Sequence, residues 1–166
     1  MKTNTVETLF GPWPIERRRV RFRVIRPVFE TLTINDLAEE YTGKRFTSPR
    51  DIFEKFSYLA NESKEYFLAL HLDGKNRIVC LDTISVGSLN QSIVHPREVF
   101  KSSLLSSAAA LVLLHNHPTG DPTPSSEDLS ITRRLKEAGE LMGVKVIDHI
   151  IIGNEAYMSF VEQGML

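Results

Sequence analysis

The sequence predicts an α/β fold in which helices pack on the faces of a mixed β-sheet. Two apolar segments joined by a tight turn indicate a β-hairpin, and two later apolar segments each follow a helical pattern. A hairpin pairs its strands antiparallel, whereas a strand–helix–strand unit favours parallel pairing, so the two together predict a mixed sheet. At 166 residues, with 42% hydrophobic and 25% charged residues, the chain is typical of one globular domain.

The first helix and the hairpin are predicted between residues 48 and 86. Serine followed by proline at Ser48-Pro49 is typical of a helix start, because serine caps the helix and proline fits its first turn. The segments YFLALHL (66–72) and RIVCLDTISV (77–86) have the length and the apolar content of strands, and the DGKN between them is a turn.

The second half of the chain alternates helices with strands. Proline begins one predicted helix, and a glycine suited to a helix C-terminus ends the other. The predicted elements are a helix over 96–109, a strand over 110–115, a helix from Ser125 to about Gly143, a strand over 144–152 and a short tail over 157–166.

A basic stretch, ERRRVRFRVIR over residues 16–26, stands out from the rest of the chain. It holds six arginines and one glutamate, so a chain of net charge −1 carries −6 outside it. Basic and apolar residues alternate from Arg19 to Val24, which predicts a strand with one basic and one apolar face. Three interpretations are open. The stretch is an edge strand whose charges discourage aggregation, or a nucleic-acid-binding arm formed by Arg17 to Arg26. Alternatively, it is an arm that pairs with the acidic body of its own chain, or with that of a second copy in a homo-oligomer. We therefore separate an N-terminal extension (1–44) from the main domain (45–166).

Several classes of protein are excluded or disfavoured by composition. No apolar run approaches the ~20 residues that cross a bilayer, and the N-terminus lacks the pattern of a signal peptide. Cys80 is the single cysteine, which excludes an internal disulfide, a thiolate-rich zinc site and the Pro-Cys-x-x-Cys pattern of zinc deaminases. We expect a cytoplasmic protein without a membrane partner.

The segment HNHPTGDPTPSSED carries the strongest functional pattern. His115 and His117 lie at the end of a predicted strand and point to the same side, whereas Asn116 points to the other. Ser125 and Asp128 have the spacing of a capping box at the next helix. Each pair has an ordinary explanation, as surface histidines or as a helix cap. If the proline-rich loop folds the helix start back onto the strand end, two imidazoles and a carboxylate surround one point, which is typical of catalytic zinc.

The same segment resembles the JAMM metal motif of the JAB/MPN superfamily, which reads His-x-His, seven residues, Ser, two residues, Asp. From Phe46 to Leu166 the sequence is similar, more narrowly, to bacterial RadC proteins. This resemblance implies the layered, cytidine-deaminase-like JAB/MPN fold. Many RadC proteins carry a helix-hairpin-helix segment before this domain. The first forty or so residues here show none, so the chain resembles short RadC-like forms associated with mobile elements.

The resemblance also implies a zinc metallopeptidase or isopeptidase. His115, His117 and Asp128 would bind Zn²⁺, which lowers the pKa of its water to about 7 for attack on an amide carbonyl of a peptide or protein substrate. RadC proteins also carry a DNA-repair label. The alternative is therefore a nucleic-acid-interacting protein of DNA repair or mobile elements in which the zinc site is structural or vestigial.

Two further catalytic residues are implied by the resemblance. Glu65, before the first hairpin strand, matches the glutamate that moves the proton of the attacking water, and Ser125 would orient the oxyanion. Glu98 is the alternative base, although a glutamate in a first helical turn is also favoured by the helix dipole. Among the other histidines, we interpret His149 either as a core residue whose hydrogen bonds are satisfied or as a residue that lies behind the metal ligands. His95 is a candidate to line the cleft.

Overall fold

The computed structural model describes residues 23–24, 28–30, 42–87 and 94–166. These residues form an α/β domain with three α-helices and five strands, as the sequence predicted. In chain order the elements are α1 (Pro49–Phe56), a short 3₁₀ helix (Ser57–Asn61), β1 (Glu65–Leu72), β2 (Ile78–Gly87), α2 (Pro96–Leu105), β3 (Ala110–Asn116), α3 (Ser126–Met142), β4 (Lys145–Ile152) and β5 (Tyr157–Ser159).

The five strands form one mixed sheet in the order β2-β1-β3-β4-β5. β1 pairs antiparallel with both β2 and β3, whereas β3 and β4 are parallel because α3 connects them. The start of β1 and the end of β3 therefore lie side by side at the same end of the sheet. β5 pairs antiparallel with the end of β4, so part of the predicted tail is a strand. Three residues are too short for a periodic signal, and pairing along the free side of β4 determines this strand.

The helix ends follow the capping residues, with one correction. The Ser48 hydroxyl accepts the amide of Asp51 at 3.2 Å, and Gly143 ends α3 with a left-handed φ of 70°. The helix predicted over 96–109 instead ends at Leu105. Serines are weak helix formers, and the amide of Ala109 donates to the carbonyl of Leu72 at the start of the next strand pair, which extends the chain there.

The central strand β3 is buried along its whole length, with a separate apolar cluster on each face of the sheet. Val112 and Leu114 belong to the cluster that also contains residues of α1. Leu111 and Leu113 belong to the cluster that contains residues of α2 and α3. Because side chains alternate along a strand, His115 lies on the face of Leu111 and Leu113, toward α3.

Most of the basic stretch (residues 16–26) lies outside the described residues, and so does most of the strand and of the docking arm predicted for it. Arg23 and Val24 are described; both are exposed and belong to no helix or strand. Among the residues described, no helix has the length and apolar character needed to span a membrane.

Candidate metal centre

The two histidines of the His-x-His pattern lie together at the end of β3. Both are buried, and their Nε2 atoms are 2.9 Å apart. The backbone amide of His117 donates to the carbonyl of Ile152 at 3.0 Å, which continues the β3–β4 pairing past the strand end. Its Nδ1 lies 2.7 Å from the Asp121 carbonyl oxygen. A carbonyl only accepts hydrogen bonds, so Nδ1 carries a proton and Nε2 is directed toward His115.

The first turn of α3 places a carboxylate against the two imidazoles. Ser125 and Asp128 form the predicted capping box: the Ser125 hydroxyl accepts the Asp128 amide at 3.1 Å, and Asp128 Oδ2 accepts the Ser125 amide at 2.7 Å. The same oxygen accepts the Ser125 hydroxyl at 2.6 Å. Asp128 Oδ1 lies 3.2 Å from His115 Nε2, and Asp128 Oδ2 lies 3.3 Å from His117 Nε2. One carboxylate therefore caps the helix and faces both histidines.

These three side chains form a buried group that could hold a metal ion. Ligands about 2.0–2.1 Å from a tetrahedral ion lie roughly 3.3 Å from one another. The two Nε2 atoms are 2.9 Å apart, His115 Nε2 lies 3.2 Å from Asp128 Oδ1, and His117 Nε2 lies 3.3 Å from Asp128 Oδ2. With one ligand atom taken from each residue, all three atoms lie within 4.8 Å of one another. Two imidazole nitrogens and a carboxylate oxygen are also a common donor set for divalent transition metals. Both the spacing and the chemistry of the group fit a metal.

The electrostatics of the group favour a positive charge at its centre. Burial acts to raise the pKa of Asp128, but its close contacts with the His115 and His117 imidazoles and the hydrogen bond from Ser125 hold the pKa well below its usual range. The hydrogen bond to Asp128 raises the pKa of His117, against the opposing effect of burial. A proton on His117 Nε2 accounts for its short contact with His115 Nε2, and a bound cation would displace it.

Glu65 lies beside this group because of strand register. Phe67 of β1 is opposite His115 of β3, so Glu65, two residues earlier in the antiparallel pair, is level with His117. The buried Asn116 side chain holds the backbone on both sides of Glu65. Its Oδ1 accepts the Tyr66 amide at 2.7 Å, and its Nδ2 donates to the residue 64 carbonyl at 3.0 Å.

The charge of Glu65 is coupled to the metal-binding group. Burial raises the pKa of Glu65; His115 and His117 act to lower it, and the neighbouring Asp128 carboxylate to raise it. A half-buried carboxylate with a raised pKa, next to a cluster of candidate ligands, is typical of a catalytic base.

The other sequence candidates are accounted for elsewhere in the structure. The Glu98 carboxylate pairs with Arg97 and Lys101, and hydrogen bonds from these cations lower its pKa, which favours the helix-dipole explanation. His95 is exposed, and its Nδ1 accepts the Arg97 amide at 3.1 Å as the cap of α2. Sequence reasoning thus ranked Glu65 above Glu98, and the structure brings Glu65, rather than Glu98, to the group.

The structure places His149 behind His115, one of the two positions that the sequence analysis offered for it, and adds Thr132, which sequence reasoning missed. His149 of β4 is fully buried and lies 2.8 Å from His115, and Thr132 of α3 lies 2.6 Å from His149. Burial holds the pKa of His149 well below its usual value. Thr132 follows Asp128 by one helical turn on the same face, a spacing that could have identified it. The backbone contacts of Asn116 have no comparable local signal.

Comparisons with known proteins agree with this fold. The family model described as RadC-like JAB domain matches residues 46–165. A UPF0758 protein of Geotalea uraniireducens (strain Rf4) is 63% identical over 138 residues, which cover 79% of this chain and 60% of the relative. A UPF0758 protein of Pelobacter propionicus (strain DSM 2379) is 61% identical over 137 residues, 78% of this chain and 60% of the relative. A third, from Methanosarcina mazei, is 43% identical over 143 residues, covering 86% and 62% respectively. The chain thus spans about three fifths of the length of these curated relatives.

Proposed function

The chain belongs to the family of RadC-like JAB domain proteins, and from this premise we propose that it is a zinc-dependent hydrolase of the JAMM type that cleaves peptide or isopeptide bonds. The observation that carries the proposal is the place of Glu65 in the fold: it is level with His117 across the β1–β3 pair, and its charge is coupled to the group formed by His115, His117 and Asp128. The three-residue group by itself is equally compatible with a structural metal. A partly buried base next to it supports hydrolysis.

The proposed ligand atoms are Nε2 of each histidine and the carboxylate of Asp128. Two imidazoles with one carboxylate favour zinc over magnesium or calcium, which prefer oxygen ligands. Zinc held there would supply Lewis acidity and make a water molecule acidic enough to attack a carbonyl at neutral pH. The three side chains leave a fourth tetrahedral position for water or substrate.

Glu65 is the proposed general base and acid. Its carboxylate would accept the proton of the attacking water and pass it to the amine that leaves. Its raised pKa suits both steps, because proton transfer is most efficient when the pKa of the catalyst lies near the working pH.

Ser125 is the proposed donor to the oxyanion. In the structure its hydroxyl proton is directed to Asp128 Oδ2, so it would have to change partner when substrate binds. The capping role already accounts for a serine at this position, and the oxyanion role stays a prediction.

The experiment combines metal analysis with cleavage of a defined library. Purified protein should hold about one zinc ion per chain, and a His115→Ala/His117→Ala double variant should hold none. The library contains linear peptides and lysine-linked isopeptides, so that the two bond classes are scored separately. Glu65→Gln should lose roughly 10²–10⁴-fold in cleavage rate with unchanged zinc content. Glu98→Gln is the matched control and should cleave normally.

Three results would contradict the proposal. They are an absence of zinc, full cleavage by Glu65→Gln, and no cleavage of either bond class by the zinc-loaded protein. A fully active Glu65→Gln together with an inactive Glu98→Gln would assign the base to Glu98 instead.

One observation favours a second candidate function, in which the chain interacts with nucleic acid in DNA repair or mobile-element biology. The six arginines of the basic stretch give the sequence a local positive charge that phosphates would attract. The body of the chain is acidic, so an intramolecular or intermolecular docking role competes with this explanation, and the binding experiment described in the Discussion separates them.

A further inference from the structure

A chain of three buried hydrogen bonds connects the two elements that carry the candidate ligands. Thr132 Oγ1 lies 2.6 Å from the backbone carbonyl oxygen of Asp128 and 2.6 Å from His149 Nδ1. His149 Nε2 then lies 2.8 Å from His115 Nδ1. Thr132, His149 and His115 are at most 2% exposed, so water does not compete for these bonds. The chain thus runs from Asp128 on α3, through β4, to His115 on β3.

The chemistry of the groups fixes the direction of every bond. The Asp128 carbonyl can only accept, so the Thr132 hydroxyl must donate its one proton there. The Thr132 oxygen is then an acceptor for His149, and His149 Nδ1 must carry a proton. Full burial disfavours an imidazolium, so His149 is neutral and its Nε2 is an acceptor. His115 Nδ1 must therefore donate, and in the neutral form of His115, which is the form that binds a metal, the other ring nitrogen carries no proton.

The orientation of the His149 ring is itself fixed by packing. It stacks on Phe160 with ring centroids 4.9 Å apart and an interplanar angle of 16°, and the edge contact with Phe67 is at 5.4 Å. Phe67 also stacks on His115 at 5.8 Å and 14°. The two imidazoles cannot rotate independently, because each is held between an aromatic ring and the other imidazole.

From this geometry we infer that His149 and Thr132 are positioning residues that fix His115 as the Nδ1–H tautomer and aim its bare Nε2 at the metal. The inference rests on the proposed zinc site and deepens it, because it assigns a task to two residues that touch neither metal nor substrate. Histidine ligands commonly donate their second ring N–H to a fixed acceptor, which sets the ring orientation and raises the basicity of the ligand. His117 uses the Asp121 carbonyl for this purpose.

Without the acceptor on His149, the His115 ring would be free to place its proton on Nε2. That proton would have to leave before a metal could bind, so the affinity for metal would fall. If His149 only filled space in the core, replacing it would not change the His115 tautomer or the affinity for metal in this way.

The tautomer can be read directly from the full chain labelled with ¹⁵N-histidine and stripped of metal. Long-range ¹H–¹⁵N spectra distinguish a protonated ring nitrogen from a bare one. We expect His115 to show a protonated Nδ1 and a non-protonated Nε2 in the wild type, and a shift toward protonated Nε2 in His149→Phe. A wild-type His115 with its proton on Nε2 would overturn the inference.

The affinity for zinc, measured by competition with a chromophoric chelator, gives an independent test with two matched pairs. His149→Phe keeps a flat ring but no acceptor, whereas His149→Gln keeps an acceptor and a donor. Thr132→Val exchanges a hydroxyl for a methyl group, and Thr132→Ser keeps the hydroxyl. Roughly 10–100-fold weaker binding is expected for the Phe and Val variants, with most of the affinity recovered by Gln and Ser. Equal zinc affinity within both pairs would refute the inference.

These measurements separate failure of the inference from failure of the proposed function. Circular dichroism checks that each variant folds, and if His149→Phe does not, the smaller Thr132→Val change and the wild-type spectrum still decide the question. Neither readout needs a substrate. Absent hydrolysis by zinc-loaded protein would contradict the proposed function and leave the inference standing, whereas a wild type that binds no zinc would overturn both.

Discussion

Replacing Gly153 by alanine tests the close packing that supports the loop between the candidate ligands. Gly153 follows β4 and lies against the loop. A Cβ atom on it would be 2.4 Å from the Gly120 carbonyl oxygen, 2.7 Å from Pro122 Cδ and 3.0 Å from Pro122 N. Backbone atoms and a proline ring cannot rotate away as the end of a flexible side chain can. The added methyl group therefore has to displace the loop.

The expected cost follows from these contacts. Overpacking a close-packed site costs about 1–3 kcal/mol, and each net hydrogen bond that the displaced loop loses costs roughly 1 kcal/mol more. The amide of Asn154 donates to the Gly120 carbonyl at 2.8 Å, and this bond is the first at risk. We expect the free energy of unfolding of Gly153→Ala to fall by about 2–3 kcal/mol.

The same displacement should reach the metal group. Asp121 lies between Gly120 and Pro122, and its carbonyl holds His117 Nδ1 at 2.7 Å. If that contact is lost, His117 is less well oriented and the affinity for zinc should fall by about tenfold for each 1.4 kcal/mol of lost positioning.

Urea unfolding of the metal-free protein measures the first effect, and chelator competition measures the second. Gly74→Ala is the matched control. A Cβ atom at Gly74 meets nothing within 4 Å and Gly74 has no positive φ, so its stability should change by no more than about 0.5 kcal/mol. If Gly153→Ala is as stable as Gly74→Ala and binds zinc as tightly as the wild type, the argument from loop packing is wrong.

Three further predictions concern other parts of the chain. Asn116→Ala leaves the Tyr66 amide and the residue 64 carbonyl without their side-chain partner, so the free energy of unfolding in urea should fall by about 1–3 kcal/mol. Cleavage should slow while the zinc content stays unchanged, and unaltered stability and rate would contradict this prediction. Burial raises the pKa of Glu65 in the folded state, so the stability of the wild type falls as the pH rises through that pKa. Metal-free Glu65→Gln should therefore be more stable than the wild type at pH 7 but not at pH 4, and a gain that does not depend on pH would argue against this prediction. Replacing Arg19, Arg21 and Arg23 of the basic stretch by glutamate should abolish salt-sensitive binding of DNA or RNA if the stretch contacts phosphates. If the stretch docks on protein instead, which is the outcome we expect, the same variant should change in stability or in the oligomeric state measured by light scattering.

The sequence by itself determined the elements that short-range chemistry specifies. The serine–proline start of α1, the capping box at Ser125 and the left-handed Gly143 are each set by residues within one turn, so their positions could be predicted. The alternation of side chains along β3 likewise placed His115 and His117 on one side. The identification of Glu65 came from the family resemblance, because nothing in its local sequence distinguishes it from other glutamates.

Only the tertiary structure decided what lies next to what around the candidate metal group. Asn116 holds the backbone beside Glu65 across 50 residues, and His149 reaches His115 across 34. Local propensity cannot encode such pairs, because strand order and register determine them. The same reason explains β5, whose pairing with the end of β4 completes the edge of the sheet without a periodic pattern of its own. The sequence supplied the types of the candidate ligand residues and their order along the chain. The register of three strands, packed against one helix, brought their side chains to within hydrogen-bonding distance of one another.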